Sequence, residues 1–264
     1  MTITPAIRAR IDATLADLES RENIHILWAV ESGSRAWGFP SPDSDYDVRF
    51  VYVRPLEWYL SLNPGRDVVE LPIADELDVA GWDLHKALGL LVKANPALLE
   101  WLSSPIVYRA TPEAESLRAL ARRSPYRRSA AHHYLALLRG NYDRYIADRP
   151  MVRLKKYMYC LRPALALLWL RSRDDMVPMD QPSLLAGLSL PADLDGAIGA
   201  LVAKKSASGE MGEGPRVAVI DAFLEQELRL AQEGAIQTPS ASPEFHEAAE
   251  VLFRALVLGI SRAR

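Results

Sequence analysis

Residues 29–52, AVESGSRAWGFPSPDSDYDVRFVY, decide the fold of this chain. The run at 24–32 is rich in β-branched and aromatic residues, so it predicts a buried strand that ends at a glycine and a serine. Ten residues, which include the turn cluster FPSPDS, then lead to Asp45. Residues 46–53 predict a second strand. The stretch therefore predicts two strands joined through a glycine-serine turn.

An aspartate pair opens the second predicted strand. Side chains alternate across a strand, so Asp45, Asp47 and Arg49 share one face. Two carboxylates two positions apart on one face repel each other strongly unless a cation lies between them. Mg²⁺ prefers hard oxygen ligands and keeps open positions for phosphate oxygens. The pair therefore predicts a metal clamp, although an Asp-x-Asp triplet alone is more often a solvated strand edge.

The glycine-serine pair predicts a phosphate-binding turn. Gly33 lets the backbone approach a phosphate closely and tolerates the conformation that the turn needs. The Ser34 hydroxyl and free N–H groups at the start of a short helix can then bind phosphate oxygens. A Gly-Ser pair alone is more often a simple turn. The ordered combination of strand, Gly-Ser, spacer and Asp-x-Asp is much more specific than either part.

This combination resembles the signature of the DNA polymerase beta nucleotidyltransferase superfamily. Four positions match that signature: Gly33, Ser34, Asp45 and Asp47. The resemblance implies a third carboxylate on a later strand. Asp78, between apolar residues in a strand-like run, fits this role better than Asp83, which is more simply the N-cap of a following helix.

A closer resemblance extends over roughly residues 24–173. The segments GSRAWGFPSPDSDYDVRFVY, DVAGWDLHKALGLLVKANPALLEWL and VRLKKYMYCLRPALA resemble the bacterial and phage YcgL-type nucleotidyltransferases, which include the RNA-ligase-associated RlaP members. The resemblance implies a Mg²⁺-dependent or Mn²⁺-dependent transfer of a nucleoside monophosphate from a nucleoside triphosphate, such as ATP, to a hydroxyl, with release of pyrophosphate. The metal ligands and catalytic residues implied are Asp45, Asp47 and Asp78. The acceptor stays open between RNA, protein and a small molecule, and the nucleobase stays open too.

A basic predicted helix from residue 152 supplies further candidates. Lys155, Tyr159 and Arg162 recur at spacings that place them on one helical face. By resemblance to the superfamily, Lys155 or Lys156 reaches the β- and γ-phosphates, with Tyr159 beside them. The alternative is that these cations pair with the acidic first part of the chain.

The charge of the chain is unevenly distributed. The net charge is −3, but residues 1–117 carry −8, residues 118–173 carry +12 and residues 174–264 carry −7. A basic block between two acidic flanks indicates a surface that faces an anion, although a solvated helix face is the plainer reading. The anion is a triphosphate, a nucleic acid or the acidic part of the protein itself.

The composition is typical of a globular, cytoplasmic protein. Hydrophobic residues make up 49% of the 264 residues, and the single cysteine excludes an intrachain disulfide framework. The amino-terminal segment reads as an amphipathic helix without the apolar core of a signal peptide. No apolar run reaches the roughly 18 residues that span a bilayer, so no membrane partner is expected.

The order of the predicted elements indicates an α+β fold with two domains. Strand signals at 24–32, 46–53, 67–71, 77–80 and 106–109 predict a small mixed-sheet nucleotidyltransferase domain at residues 1–110. Helical signals alone follow, near 112–122, 125–147, 152–172, 191–205, 216–233 and 243–262. They predict an all-α domain at residues 111–264. The sequence leaves the oligomeric state open.

The sequence leaves two other functions open. The first is a nucleotide-binding regulatory protein of the toxin–antitoxin type that no longer catalyses transfer, although the intact acidic positions argue against it. The second is a repair factor that acts directly on RNA ends. The basic block would favour that function if its cations formed a continuous surface.

Overall fold

The computed structural model describes residues 3–207, 212–234 and 242–263. A five-stranded sheet has the order β3-β4-β2-β1-β5. Strands β2 and β4 run parallel, and the other neighbouring pairs are antiparallel, so the predicted mixed sheet is confirmed. The strands are β1 (His25–Glu31), β2 (Tyr46–Val53), β3 (Val68–Glu70), β4 (Leu77–Asp83) and β5 (Val107–Ala110).

One face of the sheet is covered by the amino-terminal helix α1 (Pro5–Glu22). This helix begins after the N-cap Thr4, whose side chain accepts a hydrogen bond from the N–H of Ile7. Apolar residues recur along α1 at helical spacing, whereas those of β2 alternate. The apolar residues of the helix and of the strand form one core, which contains Ile11, Leu15 and Leu18 of α1 and Val48, Phe50 and Tyr52 of β2.

The chain forms two compact units, which are described separately below. The first unit comprises residues 3–36, 45–125 and 242–263 of the described chain. Besides the sheet and α1, it contains α2 (Gly33–Ala36), α3 (Leu56–Tyr59), α4 (Leu84–Val92), α5 (Pro96–Ser103), α6 (Pro112–Ala121) and α12 (Pro243–Ala263). The carboxy-terminal helix α12 packs against α3, α4 and α6.

The second unit comprises residues 37–44, 126–207 and 212–234. Helices α7 and α8 pack together and both contact α11. A small antiparallel ribbon of two strands precedes α8 and α11. The elements of this unit are α7 (Arg127–Tyr145), β6 (Met151–Arg153), α8 (Leu154–Ser172), α9 (Gln181–Gly187), α10 (Ala192–Ala207), β7 (Glu213–Pro215) and α11 (Ala218–Gln232).

The predicted α+β class is confirmed, with local differences after residue 110. The ribbon β6–β7 and helix α9 were not predicted, because three-residue strands and a seven-residue helix are too short to show a periodic pattern. The compact units also divide the chain elsewhere than the predicted domains 1–110 and 111–264, since α6 and α12 lie in the first unit. None of the described helices combines the length and apolarity needed to cross a bilayer.

Candidate active site

The carboxylate of Asp47 lies against the backbone of Gly33. A β-carbon built on Gly33 would lie 1.9 Å from Oδ2 of Asp47, far inside van der Waals contact. Gly33 has φ +58°, a left-handed conformation that glycine adopts without strain. The N–H of Ser32 donates to the carbonyl of Asp47 at 2.7 Å, which fixes the turn on β2. Only a residue without a β-carbon at position 33 therefore leaves room for the carboxylate of Asp47.

Asp47 and Asp78 are neighbours across the parallel strands β2 and β4. They are register partners in the pairing of these strands. One nitrogen of the Arg49 guanidinium donates to both carboxylates, at 3.3 Å to Asp47 and 2.7 Å to Asp78. Arg49 also donates to the carbonyl of Asp78 at 3.0 Å. The guanidinium of Arg49 thus holds together two of the three aspartates that the sequence predicts in the site.

Asp45 is exposed and directly precedes β2. The guanidinium of Arg35 donates to its carbonyl at 3.1 Å and lies 3.8 Å from the ring centroid of Tyr46. Burial raises the pKa of Asp47, Arg49 opposes this effect, and the charges of Asp78 and Asp45 raise the pKa further. The charges of Asp78 and Asp45 therefore both act on the carboxylate of Asp47.

Glu31 is a buried acid beside the site, and it is not among the residues predicted from the sequence. Its carboxylate accepts a hydrogen bond from the N–H of Asp47 at 3.0 Å and one from the hydroxyl of Tyr108. Burial raises the pKa of Glu31 to about 7, against the lowering effect of these hydrogen bonds. A glutamate closing an apolar run directly before Ser32-Gly33 is the signal that would have found it.

Asp83, the other candidate for the third carboxylate, serves the fold. Its Oδ1 accepts from the N–H of His85 at 2.8 Å, which caps α4 as predicted. Its Oδ2 accepts from the hydroxyl of Tyr59 at 2.8 Å. Both oxygens of this buried carboxylate are therefore engaged away from Asp47, whereas Asp78 lies beside it.

The donor chemistry of the site suits a divalent cation. Asp45, Asp47 and Asp78 offer the hard oxygen ligands that Mg²⁺ prefers. In the described part of the chain, however, no three His, Cys, Asp or Glu side chains are grouped to hold a metal ion. The guanidinium of Arg49 instead neutralises the carboxylates of Asp47 and Asp78. A divalent ion that bound these two carboxylates would replace the guanidinium as their positive partner. The metal role of the three aspartates stays a prediction.

Ser34 is the second residue of α2 and is partly exposed. The spacer that follows it, residues 37–44, belongs to the second unit. Within that unit, the N–H of Gln181 donates to the carbonyl of Trp37 at 2.9 Å, and the ring of the buried Phe39 lies 4.4 Å from Nζ of Lys205. The spacer is thus an ordered segment packed against α9 and α10.

The predicted cations of α8 lie in the second unit and have different neighbours. A hydrogen bond with Ser41 lowers the pKa of Asp43, and burial lowers the pKa of Lys205. The charge of the nearby Lys155 lowers both further. The ammonium of Lys156 lies 4.2 Å from the ring centroid of Tyr145 and 5.0 Å from that of Tyr159. The two adjacent lysines therefore occupy separate environments.

Comparison with known proteins identifies the family of the chain. A family model described as the RNA repair pathway DNA polymerase beta family, RlaP, matches residues 7–254. The protein named "Uncharacterized protein YcgL" from Bacillus subtilis (strain 168) is 43% identical over 230 residues. That match covers 87% of this chain and 88% of the relative.

Proposed function

Since the chain belongs to the RlaP family of DNA polymerase beta type, we propose that it is a divalent-metal-dependent nucleotidyltransferase. An acceptor hydroxyl oxygen forms a bond to the α-phosphorus of a nucleoside triphosphate. The bond from that phosphorus to the bridging oxygen of the β-phosphate breaks, pyrophosphate leaves, and the hydroxyl proton passes to a base. The observation that carries the proposal is the Asp47 carboxylate, seated on Gly33 and paired with Asp78.

Gly33 and Ser34 bind the triphosphate in this proposal. The backbone at Gly33 carries no β-carbon, so a phosphate can approach it closely, and the Ser34 hydroxyl lies in the partly exposed turn of α2. Fixing the triphosphate at this turn holds the α-phosphorus in line with the attacking oxygen, which lowers the entropic part of the barrier.

Asp45, Asp47 and Asp78 would hold the divalent cation. Bound Mg²⁺, or Mn²⁺ in its place, would supply positive charge to the phosphate oxygens and favour ionisation of the acceptor hydroxyl. Asp78 is the residue that we assign to the attacking hydroxyl, as the base that takes its proton. Arg49 keeps Asp47 and Asp78 adjacent before the cation binds.

Glu31 is a positioning residue for this chemistry. It accepts from the backbone N–H of Asp47 and so fixes the start of β2, while Tyr108 donates to its other oxygen. Lys155, Lys156 and Tyr159 complete the proposal as contacts of the triphosphate, on the family resemblance of their segment. The family is described as belonging to an RNA repair pathway, and on that ground we assign RNA as the acceptor class.

Thermal unfolding with and without nucleotide tests this proposal. A triphosphate at a hundredfold excess over its dissociation constant stabilises the folded protein by about 2.7 kcal/mol. We expect this shift in melting temperature with Mg²⁺ or Mn²⁺ and its loss when EDTA is added. The double variant Asp45→Asn/Asp47→Asn loses the shift, whereas Asp195→Asn, at an exposed position of α10, keeps it. A full shift in the double variant would place the nucleotide elsewhere.

A further inference from the structure

A basic pocket of ≈ 340 Å³ lies within the second unit, and its lining includes none of the residues assigned above to the metal. It is lined by the end of α7, the segment that follows, the ribbon β6–β7 and the first turn of α8. Its cations come from all of these except β7: Arg144, Arg149, Arg153 and Lys156. One acid, Glu213, also lines it. The pocket therefore has an excess of positive charge in a small concave volume.

Within the described ranges of the chain, most of this charge has no carboxylate beside it. Of the four pocket cations, Arg153 alone has a carboxylate partner there, Glu213 at 3.7 Å. Both side chains of that pair are largely exposed, at 74% and 62%, so the pair contributes little stability and is easily broken. Arg149 donates instead to the backbone carbonyl of Arg144 at 3.1 Å, which positions its guanidinium without cancelling the charge.

An aromatic ring organises the cations. The guanidinium of Arg144 lies 5.2 Å from the ring centroid of Tyr145, and the ammonium of Lys156 lies 4.2 Å from it. Such cation–π contacts fix the positions of flexible charged side chains. Fixed cations beside an aromatic ring are the recurrent features of sites that bind the backbone and bases of single-stranded nucleic acids.

We propose that this pocket binds a single-stranded segment of RNA, and that the segment is the acceptor strand of the nucleotidyl transfer. The guanidinium groups of Arg144, Arg149 and Arg153 contact successive phosphates of the strand, and the ring of Tyr145 borders the base of the nucleotide that enters the pocket. A concave site of this volume admits a nucleotide of a single strand, whereas a duplex presents a convex and rigid backbone to it. The role as acceptor site rests on the proposed function; the binding of RNA does not.

Fluorescence anisotropy with a labelled 12-nucleotide oligoribonucleotide tests the proposal. The titration contains EDTA and no triphosphate, so a failure of the triphosphate site cannot affect its outcome. We expect Arg144→Gln/Arg149→Gln to weaken binding at least tenfold at about 50 mM salt. The slope of log affinity against log salt should fall by about 0.7 for each lost phosphate contact.

Two further variants distinguish specific binding of RNA in the pocket from nonspecific attraction of RNA to positive charge. Arg139→Gln removes one positive charge, half of what the double variant removes, from an exposed position of α7 outside the pocket and should change the affinity less than twofold. Glu213→Gln removes the acid that lines the pocket and should tighten binding. Circular dichroism of each variant checks that the fold is retained.

Three results would overturn the proposal. The first is an Arg144→Gln/Arg149→Gln affinity within twofold of the wild type. The second is an equal loss in Arg139→Gln, which would mean that net charge alone attracts the RNA. The third is a duplex of the same sequence that binds as tightly as the single strand, which would identify a surface for double-stranded nucleic acid.

Discussion

At position 33, a single missing β-carbon decides whether Asp47 can occupy its place. Alanine there would combine a positive φ with a β-carbon 1.9 Å from the carboxylate oxygen. Strained backbone costs on the order of 1–3 kcal/mol, and the collision adds to it. We predict that Gly33→Ala lowers the free energy of unfolding by more than about 1 kcal/mol and abolishes the nucleotide-dependent shift in melting temperature.

The matched control for that substitution is Gly140→Ala. Gly140 lies on α7, where an added β-carbon meets nothing within 4 Å. Alanine is the better helix former by roughly 1 kcal/mol, so this variant should be slightly more stable than the wild type. Chemical denaturation measures both variants. A Gly33→Ala protein as stable as the wild type would show that Asp47 does not occupy the position described.

Lys205 gives a prediction about the pH dependence of stability. Burial lowers the pKa of this ammonium to about 8, helped by the charge of Lys155 and opposed by Asp43. Between pH 8 and the ordinary lysine pKa of about 10.4, the folded protein binds fewer protons than the unfolded chain. The free energy of unfolding therefore rises with pH in this window, by at most about 1.4 kcal/mol per unit. Below pH 8 the full penalty of the buried charge remains.

The comparison protein for that measurement is Lys205→Met, which keeps a long side chain and has no charge to titrate. We expect the wild type to gain stability relative to the variant as the pH rises from 8 to 10. Urea denaturation of both proteins at each pH isolates this contribution from other titrating groups. A stability difference that stays constant over this range would show that Lys205 titrates normally.

At the scale of elements, strong periodicity made much of the fold predictable. The run YDVRFVYV predicts β2 at 46–53, with the bounds that the structure has, and Asp83 predicts the start of α4. The role of Glu31 could not be assigned in this way. Its place before Ser32-Gly33 is a local signal, but its role depends on Tyr108, which lies on a strand far away in sequence. Pairing between distant strands, unlike the period of one element, leaves no local pattern.

The first turn of α8 carries a prediction that distinguishes two roles of its lysines. If Lys155 and Lys156 contact the triphosphate, their replacement by alanine removes charge-assisted contacts worth roughly 1.5–3 kcal/mol each. Nucleotide affinity should then fall at least tenfold, since about 1.4 kcal/mol is a factor of ten. The stability of the free protein should change little. Calorimetric titration and thermal unfolding of the same variant measure both quantities.

The opposite pattern would contradict the triphosphate role. A variant with lower stability of the free protein and unchanged nucleotide affinity would mean that the two lysines serve the fold. The neighbours of each lysine explain why single variants are also informative. Lys155 lies near Lys205, so its removal relieves repulsion, whereas Lys156 loses its contacts with Tyr145 and Tyr159.

At the scale of the whole molecule, the sequence showed a basic block but not how its cations are arranged. Residues 118–173 carry a net charge of +12, yet only four of their basic side chains line the pocket. Its composition depends on the ribbon β6–β7, which brings Glu213 beside Arg153. Strands of three residues leave no periodic pattern in the sequence. The grouping of these basic side chains in one pocket could therefore not be predicted from it. The same holds for the two compact units, whose bounds follow contacts between distant segments.

Product analysis with labelled nucleotides tests the activity of the whole molecule. In nucleotidyl transfer the α-phosphate stays with the acceptor and the β- and γ-phosphates leave as pyrophosphate. We predict that α-labelled triphosphate, Mg²⁺ and a bacterial RNA fraction give labelled RNA, that γ-labelled triphosphate gives none, and that Asp47→Asn loses the reaction. Label from the γ-position alone would mean phosphoryl transfer. Binding without any transfer, even to the proteins and small molecules of a whole lysate, would identify a nucleotide-binding regulatory protein whose intact aspartates hold a ligand that is not turned over.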